Sequence, residues 1–169
     1  MPQSFKSEPK GKIMSKLPTR ELITIDGKNV VIQRDSSPMI NGGVIENAEA
    51  LRVFNIFDDR LKPSNYGMAD GKPMRLYDGK ITKIDLSKRS KEDMGFWHRN
   101  ADAHEIIFCV KGALRWETEM GVRILKPGDM MIIPRGIAHR STLCEESAEE
   151  NVLIELKIAE ELPFVAEGI

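Results

Sequence analysis

The sequence predicts an all-β fold, an antiparallel sandwich or barrel, and three observations carry that expectation. Its apolar residues come in short runs, several alternating apolar and polar with period two. Gly, Pro, Asn and Asp separate those runs at regular spacing. Helical periodicity is almost absent: Ala48–Val53 and the Glu145–Asn151 region each allow a helical turn or two. The length of 169 residues is that of one domain, and a 41% hydrophobic, 30% charged composition excludes a disordered chain.

In chain order, Leu22–Ile25 and Val30–Ile32 form a predicted hairpin around Asp26-Gly27-Lys28-Asn29. Predicted strands follow at Arg52–Phe57, Met74–Tyr77, Ile81–Ile84 and Leu114–Thr118. Val152 to Ile158 puts Val152, Ile154, Leu156 and Ile158 on one face and Glu155 and Lys157 on the other. Ahead of these strands, residues 1–20 carry Lys6, Lys10, Lys12, Lys16 and Arg20 against the single acid Glu8, and are expected to form a basic N-terminal arm. The barrel domain is expected over 21–169. Seven glutamates face one lysine, Lys157, between Glu145 and Glu161. Two solvated surfaces explain this asymmetry; an arm reaching an acidic surface on a second subunit is the sharper alternative, and a homodimer is expected.

The net charge of −1 argues against a nucleic-acid partner held by a basic surface. No apolar run is long enough to span a membrane, and the two cysteines, Cys109 and Cys144, make no disulfide framework. A cytoplasmic protein with a small-molecule substrate is the expectation.

The chemistry concentrates in one window. All three histidines, His98, His104 and His139, lie between positions 98 and 139. His98 and Asn100 are two apart, so a strand points both to one face. Pro134 and Gly136 bend the chain ahead of His139. If Glu105 and His139 face His98 across a barrel, two imidazoles and a carboxylate converge, and open coordination positions remain. This is the facial-triad composition of non-haem iron(II) sites, and the same set could hold zinc or manganese, so composition does not choose the metal. His104 adjoins Glu105 and should face away from it, so Asn100 is preferred to His104 as the fourth pocket residue, for orienting substrate or moving a proton. Cys109 shares the Glu105 face, where inert packing is expected. Arg99, Arg135 and Arg140 flank the site; surface roles are expected, although an arginine at the mouth suits a carboxylate substrate. Core packing is expected of Trp97 and Trp116.

From His98 to Gly112 the pattern is H-x-N-x4-E-x6-G, and from Gly128 to His139 it is G-x5-P-x-G-x2-H. Together these resemble the two motifs of the cupin superfamily, with the match concentrated in 97–140. Asn100 stands where the first motif has its second histidine, Leu143 where the second motif ends in Asn, and Glu92 where the first opens with Gly. The wording around His98 and His139 is also similar to homogentisate dioxygenase-like cupins. The resemblance implies a single-domain jelly-roll barrel. It also implies a metal-dependent dioxygenase acting on a small aromatic or enolisable acid, with His98, Glu105 and His139 as ligands. A non-oxidative lyase or isomerase, and a metal-free binding module, are the alternatives.

Overall fold

The structure, a computed structural model, describes residues 19–35, 51–64, 66–67, 72–90, 95–166 and 168. It divides into two compact units, 1–52 and 53–169, each taken by itself below. Most of the predicted arm, residues 1–18, lies outside the described residues, as do Ala48 to Ala50 of the first predicted helical turn.

In the first unit, β1 (Thr19–Ile25) and β2 (Lys28–Arg34) form an antiparallel hairpin. Its turn is the pair Asp26-Gly27, both at positive φ (50° and 71°), the backbone that two-residue hairpin turns require. The turn is two residues shorter than predicted. Lys28 and Asn29 instead join the ladder opposite Ile25 and Thr24, and the Thr24 hydroxyl donates to the Asn29 side-chain oxygen at 2.8 Å.

The second unit holds two antiparallel sheets. One contains β3 (Met74–Asp78), β4 (Thr82–Ser90), β10 (Glu150–Ile158), β5 (His104–Lys111) and β8 (Met130–Ile133), in that spatial order. The other contains β7 (Gly121–Leu125), β6 (Leu114–Thr118) and β9 (His139–Thr142). Ile107, Cys109, Ile133 and Leu153 of the first sheet and Leu114, Trp116 and Leu125 of the second join in one buried cluster. Each such aliphatic side chain contributes roughly 2 kcal/mol on burial. This is the all-β architecture that the alternating pattern predicts, in the jelly-roll form that the resemblance implies.

Two predicted elements are corrected. Arg52–Phe57 is not a strand. The Asn55 side chain accepts from the Phe57 amide and the Asp58 side chain from the Arg60 amide, so local side-chain bonds displace ladder pairing. Asp58 caps the three-residue 3-10 turn Asp59–Leu61, the only helical element among the described residues. No helix forms over Glu145–Asn151 either. The Cys144 amide donates to Ser147, the Ala148 amide donates to the Asn151 side chain, and Glu150 already opens β10. Among the described residues no helix is long and apolar enough to cross a membrane.

Strand β10 is central, between β4 and β5, and none of its residues is exposed on either face. The face carrying Leu153, Glu155 and Lys157 turns into the barrel. It lies in register with Asp85 and Ser87 on β4 and with Glu105, Ile107 and Cys109 on β5. Val152 and Leu86, on the opposite face, are also fully buried. The charged half of the β10 alternation therefore faces inward.

Candidate metal centre

His98 and His139 come together through the backbone. Each donates its amide to the other's carbonyl, at 3.0 and 2.9 Å, in an isolated antiparallel bridge beside β9. The Pro134–Gly136 turn makes this possible. Gly136 adopts φ 83° and its amide donates to the Asn100 carbonyl at 2.7 Å, so the segments 95–100 and 134–139 are tied before β9 begins. Gly95, at φ 58°, is the second backbone requirement. A Cβ there would lie 1.8 Å from the Ser141 carbonyl oxygen, so only glycine lets this segment lie against β9.

Both imidazoles are oriented alike. The Nδ1 of His98 lies 3.0 Å from the Phe96 carbonyl oxygen, and that of His139 lies 2.9 Å from the Ile137 carbonyl oxygen. A carbonyl only accepts, so each Nδ1 carries the proton and each Nε2 presents a lone pair. Glu105 supplies the third donor from the buried face of β5. One ligand atom from each of His98, Glu105 and His139 falls within 4.8 Å of the other two.

These donors fit a divalent transition metal. His139 Nε2 lies 3.0 Å from Glu105 Oε2, and both side chains are almost fully buried. The contact lacks hydrogen-bond geometry, and His139 Nε2 has no hydrogen-bond partner among the described residues. Neighbouring ligands about 2.1 Å from one ion stand about 3 Å apart, which matches this separation. In the metal-free site, burial works against the charged His139 ring but the Glu105 carboxylate outweighs it, so the His139 pKa is raised. Burial also lowers that of the more open His98. Glu105 is held well below the usual carboxylate range, because His139 and Lys157 outweigh its burial.

Asn100 donates its amide to Glu105 Oε2 at 2.8 Å, so it acts on the carboxylate and also lines the cavity. His104 is not among the cavity-lining residues. Its Nδ1 accepts from the Arg135 amide at 3.4 Å, and its Nε2 lies 3.9 Å from Glu161. Arg135 pairs with Glu161, Arg99 with Glu119 and the Gly136 carbonyl, and Arg140 with Glu117. None of the three lines the cavity. Cys109 is core, and burial pushes its thiol pKa up. Trp116 is core, whereas Trp97 is half exposed with the Arg140 guanidinium 5.2 Å above its ring.

The cavity of about 350 Å³ also contains groups that the sequence did not single out: Arg89, Ser141, Glu155 and Lys157. The Lys157 ammonium lies 2.8 Å from Asp85, 3.5 Å from Glu105 and 3.6 Å from Glu155. Burial alone would lower the Lys157 pKa, but these carboxylates hold it at about 12. Burial and the Glu105 charge push Glu155 up to about 7, and the Ser87 hydroxyl donates to it at 2.6 Å. The only signal in the sequence was the polar alternation of Asp85, Ser87 and Arg89 and of Glu155 and Lys157, which a solvent-facing strand would show equally.

Residues 89–149 match the family model described as the cupin domain. Among solved structures, a Ralstonia eutropha protein provisionally named a mannose-6-phosphate isomerase is 23% identical. Its likeness covers 65% of this chain and 100% of that one, with a TM-score of 0.51. KdgF from Halomonas sp. is 21% identical over 53% of this chain and 80% of its own, with a TM-score of 0.45. A Klebsiella pneumoniae protein with a double-stranded β-helix domain is 18% identical over 65% and 91%, with a TM-score of 0.49. The Ralstonia likeness is one of fold. Residues 89–149 are thus similar in sequence to the cupin domain, and that match, with the jelly-roll fold, supports a place for this chain in the cupin superfamily.

Proposed function

We propose that this protein is a metal-dependent enzyme acting on a small acid in the barrel cavity, with dioxygenase-type oxidation of an aromatic or enolisable acid as the leading reaction. The observation that carries the proposal is the matched pair of histidines. Each has Nδ1 on a backbone carbonyl, and His139 Nε2 lies 3.0 Å from the buried Glu105 carboxylate. Iron(II) is the ion proposed first; zinc and manganese suit the same donors. When bound, the metal supplies Lewis acidity and, if iron, redox access to O₂, both of whose atoms enter the substrate without an external reductant.

The chain's own residues supply the rest. Asn100 fixes the Glu105 carboxylate, the barrel wall limits water, and the cavity sets the size of the acid. One observation favours a second reading, a non-oxidative lyase or isomerase: Glu155 lines the cavity with a pKa of about 7, suited to proton transfer at neutral pH. A homodimer is also proposed, tested by solution mass with and without residues 1–20.

Elemental analysis of protein purified without added metal tests the central proposal. Stoichiometric metal that is lost in His98→Ala and His139→Ala supports it. Full occupancy in those variants defeats the triad. A metal-free wild-type protein that still binds acids points to a binding module. With metal present, O₂ uptake matched to acid consumption selects the oxidative reaction. Turnover without O₂ selects the lyase or isomerase.

A further inference from the structure

A second cavity, of about 280 Å³, lies beside the triad cavity and shares Asn100 and Lys157 with it. Its lining is cationic: Arg75, Lys80, Lys83 and Lys157 stand against one carboxylate, Asp102. The sheet register brings two of these cations together. Lys83 of β4 lies directly opposite Lys157 of β10, so both side chains leave the sheet on the same inward face. Like charges placed directly opposite in an antiparallel pair are destabilising unless something neutralises them.

The neighbouring acids neutralise only one of the pair. Asp85, the next inward residue of β4, accepts from Lys157 at 2.8 Å through Oδ2 and from Arg75 through Oδ1. Asp78 accepts from Arg75 Nη1 at 2.6 Å. Both carboxylates are thereby committed. Among the described residues, neither the Lys83 nor the Lys80 ammonium has an ion-pair or hydrogen-bond partner. Lys83 is half-buried nonetheless. Asp102 is exposed, so water screens it and it offsets the two lysines only in part.

Lys80 is held at the rim by the tight β3–β4 turn. The Gly79 amide donates to the Thr82 carbonyl at 2.9 Å, and a Cβ on Gly79 would lie 2.5 Å from that oxygen. The Ala159 amide, just beyond β10, donates to the Ile81 carbonyl at 2.8 Å and ties the turn to the sheet.

We propose that this second cavity binds the phosphate group of a small phosphorylated molecule, held by Lys80 and Lys83 with Arg75 and Lys157 adding positive potential. Lysine suits a phosphate as a point charge that needs no fixed fork, and separate oxygens can take separate ammonium groups. A phosphate monoester carries nearly two negative charges at neutral pH, which matches two unpaired lysines better than a single carboxylate does. The site consists only of protein groups and stands whether or not the triad holds a metal.

The test is calorimetric titration of the full chain with inorganic phosphate, glycerol 3-phosphate and malonate at constant ionic strength. Each is run on chelator-stripped and on zinc-loaded protein. The expected result is saturable binding of both phosphates, weakened about fivefold or more in Lys83→Met and in Lys80→Met. Asp102→Asn should tighten it, and Lys126→Met, at a lysine that lines neither cavity, should leave it unchanged. Phosphate should also raise the melting temperature of the wild type more than that of Lys83→Met. No binding of either phosphate, equal affinity in the Lys83 and Lys80 variants, or an equal loss in Lys126→Met overturns the site. Tighter binding of malonate than of both phosphates overturns the phosphate assignment. Zinc loading that strengthens glycerol 3-phosphate but not inorganic phosphate places the phosphate on the substrate of the triad; equal affinities with and without zinc assign it to a separate ligand. Both results uphold the site. If Lys83→Met does not fold by circular dichroism, Lys80→Met decides, because its exposed turn position carries no packing. Protein that retains no zinc refutes the metal reading alone and leaves the phosphate titration standing.

Discussion

The two halves of the barrel interior are built by the same strands and hold opposite chemistry. Along β5, Glu105 lies at the polar end, while Ile107 and Cys109 lie in the apolar cluster. Along β10, Leu153 belongs to the cluster and Glu155 and Lys157 to the cavity. Polarity therefore changes along each strand within one face, not between faces. The apolar half gains from excluding water and tolerates changes of shape at a cost set by the void they leave. The polar half consists of charges whose desolvation is offset only by one another, so removing one partner exposes the cost of the rest. The difference separates a region that holds the fold from one that the fold holds ready for a ligand.

Substitutions can break that comparison, and the largest effect is expected at Lys157. Lys157→Met leaves Asp85, Glu105 and Glu155 without their shared cation and should destabilise the protein by about 3–5 kcal/mol in urea unfolding. A loss below about 1 kcal/mol would show that water already solvates these carboxylates. Ile107→Ala, at a fully buried position of the apolar half, should cost about 2–5 kcal/mol through lost transfer energy and a cavity. Unlike the Lys157 effect, this loss should be insensitive to pH; a pH-dependent loss would mean the two halves are coupled.

Glu155→Gln sharpens the contrast in the other direction. Below the ordinary glutamate pKa of 4.5 both folded and unfolded wild-type protein keep this proton. Between 4.5 and about 7 the unfolded chain ionises while the folded one does not, so stability falls as pH rises and the deficit is complete above 7. The glutamine variant lacks that slope, and its stability relative to wild type should improve by about 3 kcal/mol across the window in metal-free protein. Parallel stability curves would place the Glu155 carboxyl in contact with solvent. The smallest effect is expected for Asn100→Ala, which frees Glu105 Oε2 from its amide donor. Zinc affinity should fall about tenfold with little change in fold stability; an unchanged affinity in competition with a chelator would remove Asn100 from any role in positioning the ligand.

Much of the site was legible because it depends on spacing. Glu105 and His139 lie at the starts of strands as their spacing suggests, but His98 and Asn100 lie in a segment without a strand, held by the single His98–His139 bridge rather than by strand alternation. The first hairpin was legible from its turn residues, although Lys28 and Asn29 join the ladder and leave Asp26-Gly27 as the turn. Arg52–Phe57 was misread because its apolar residues suit a strand, whereas the Asn55 and Asp58 side chains take the backbone amides. Arg89, Glu155 and Lys157 were missed because alternation says that two faces differ, not which of them meets water.

The primary order by itself determined the strand-rich fold, the first hairpin, and the presence of three metal-type donors in one window, since alternation and turn residues are local signals. Only the tertiary structure decided which face of β10 turned inward. That choice depends on which face of the β4–β10–β5 sheet packs against the second sheet, through contacts between residues far apart in sequence such as Leu153 and Trp116. Burial on both faces then forced Glu155 and Lys157 to find partners in Asp85, Ser87 and Glu105, and so put a charged network beside the triad.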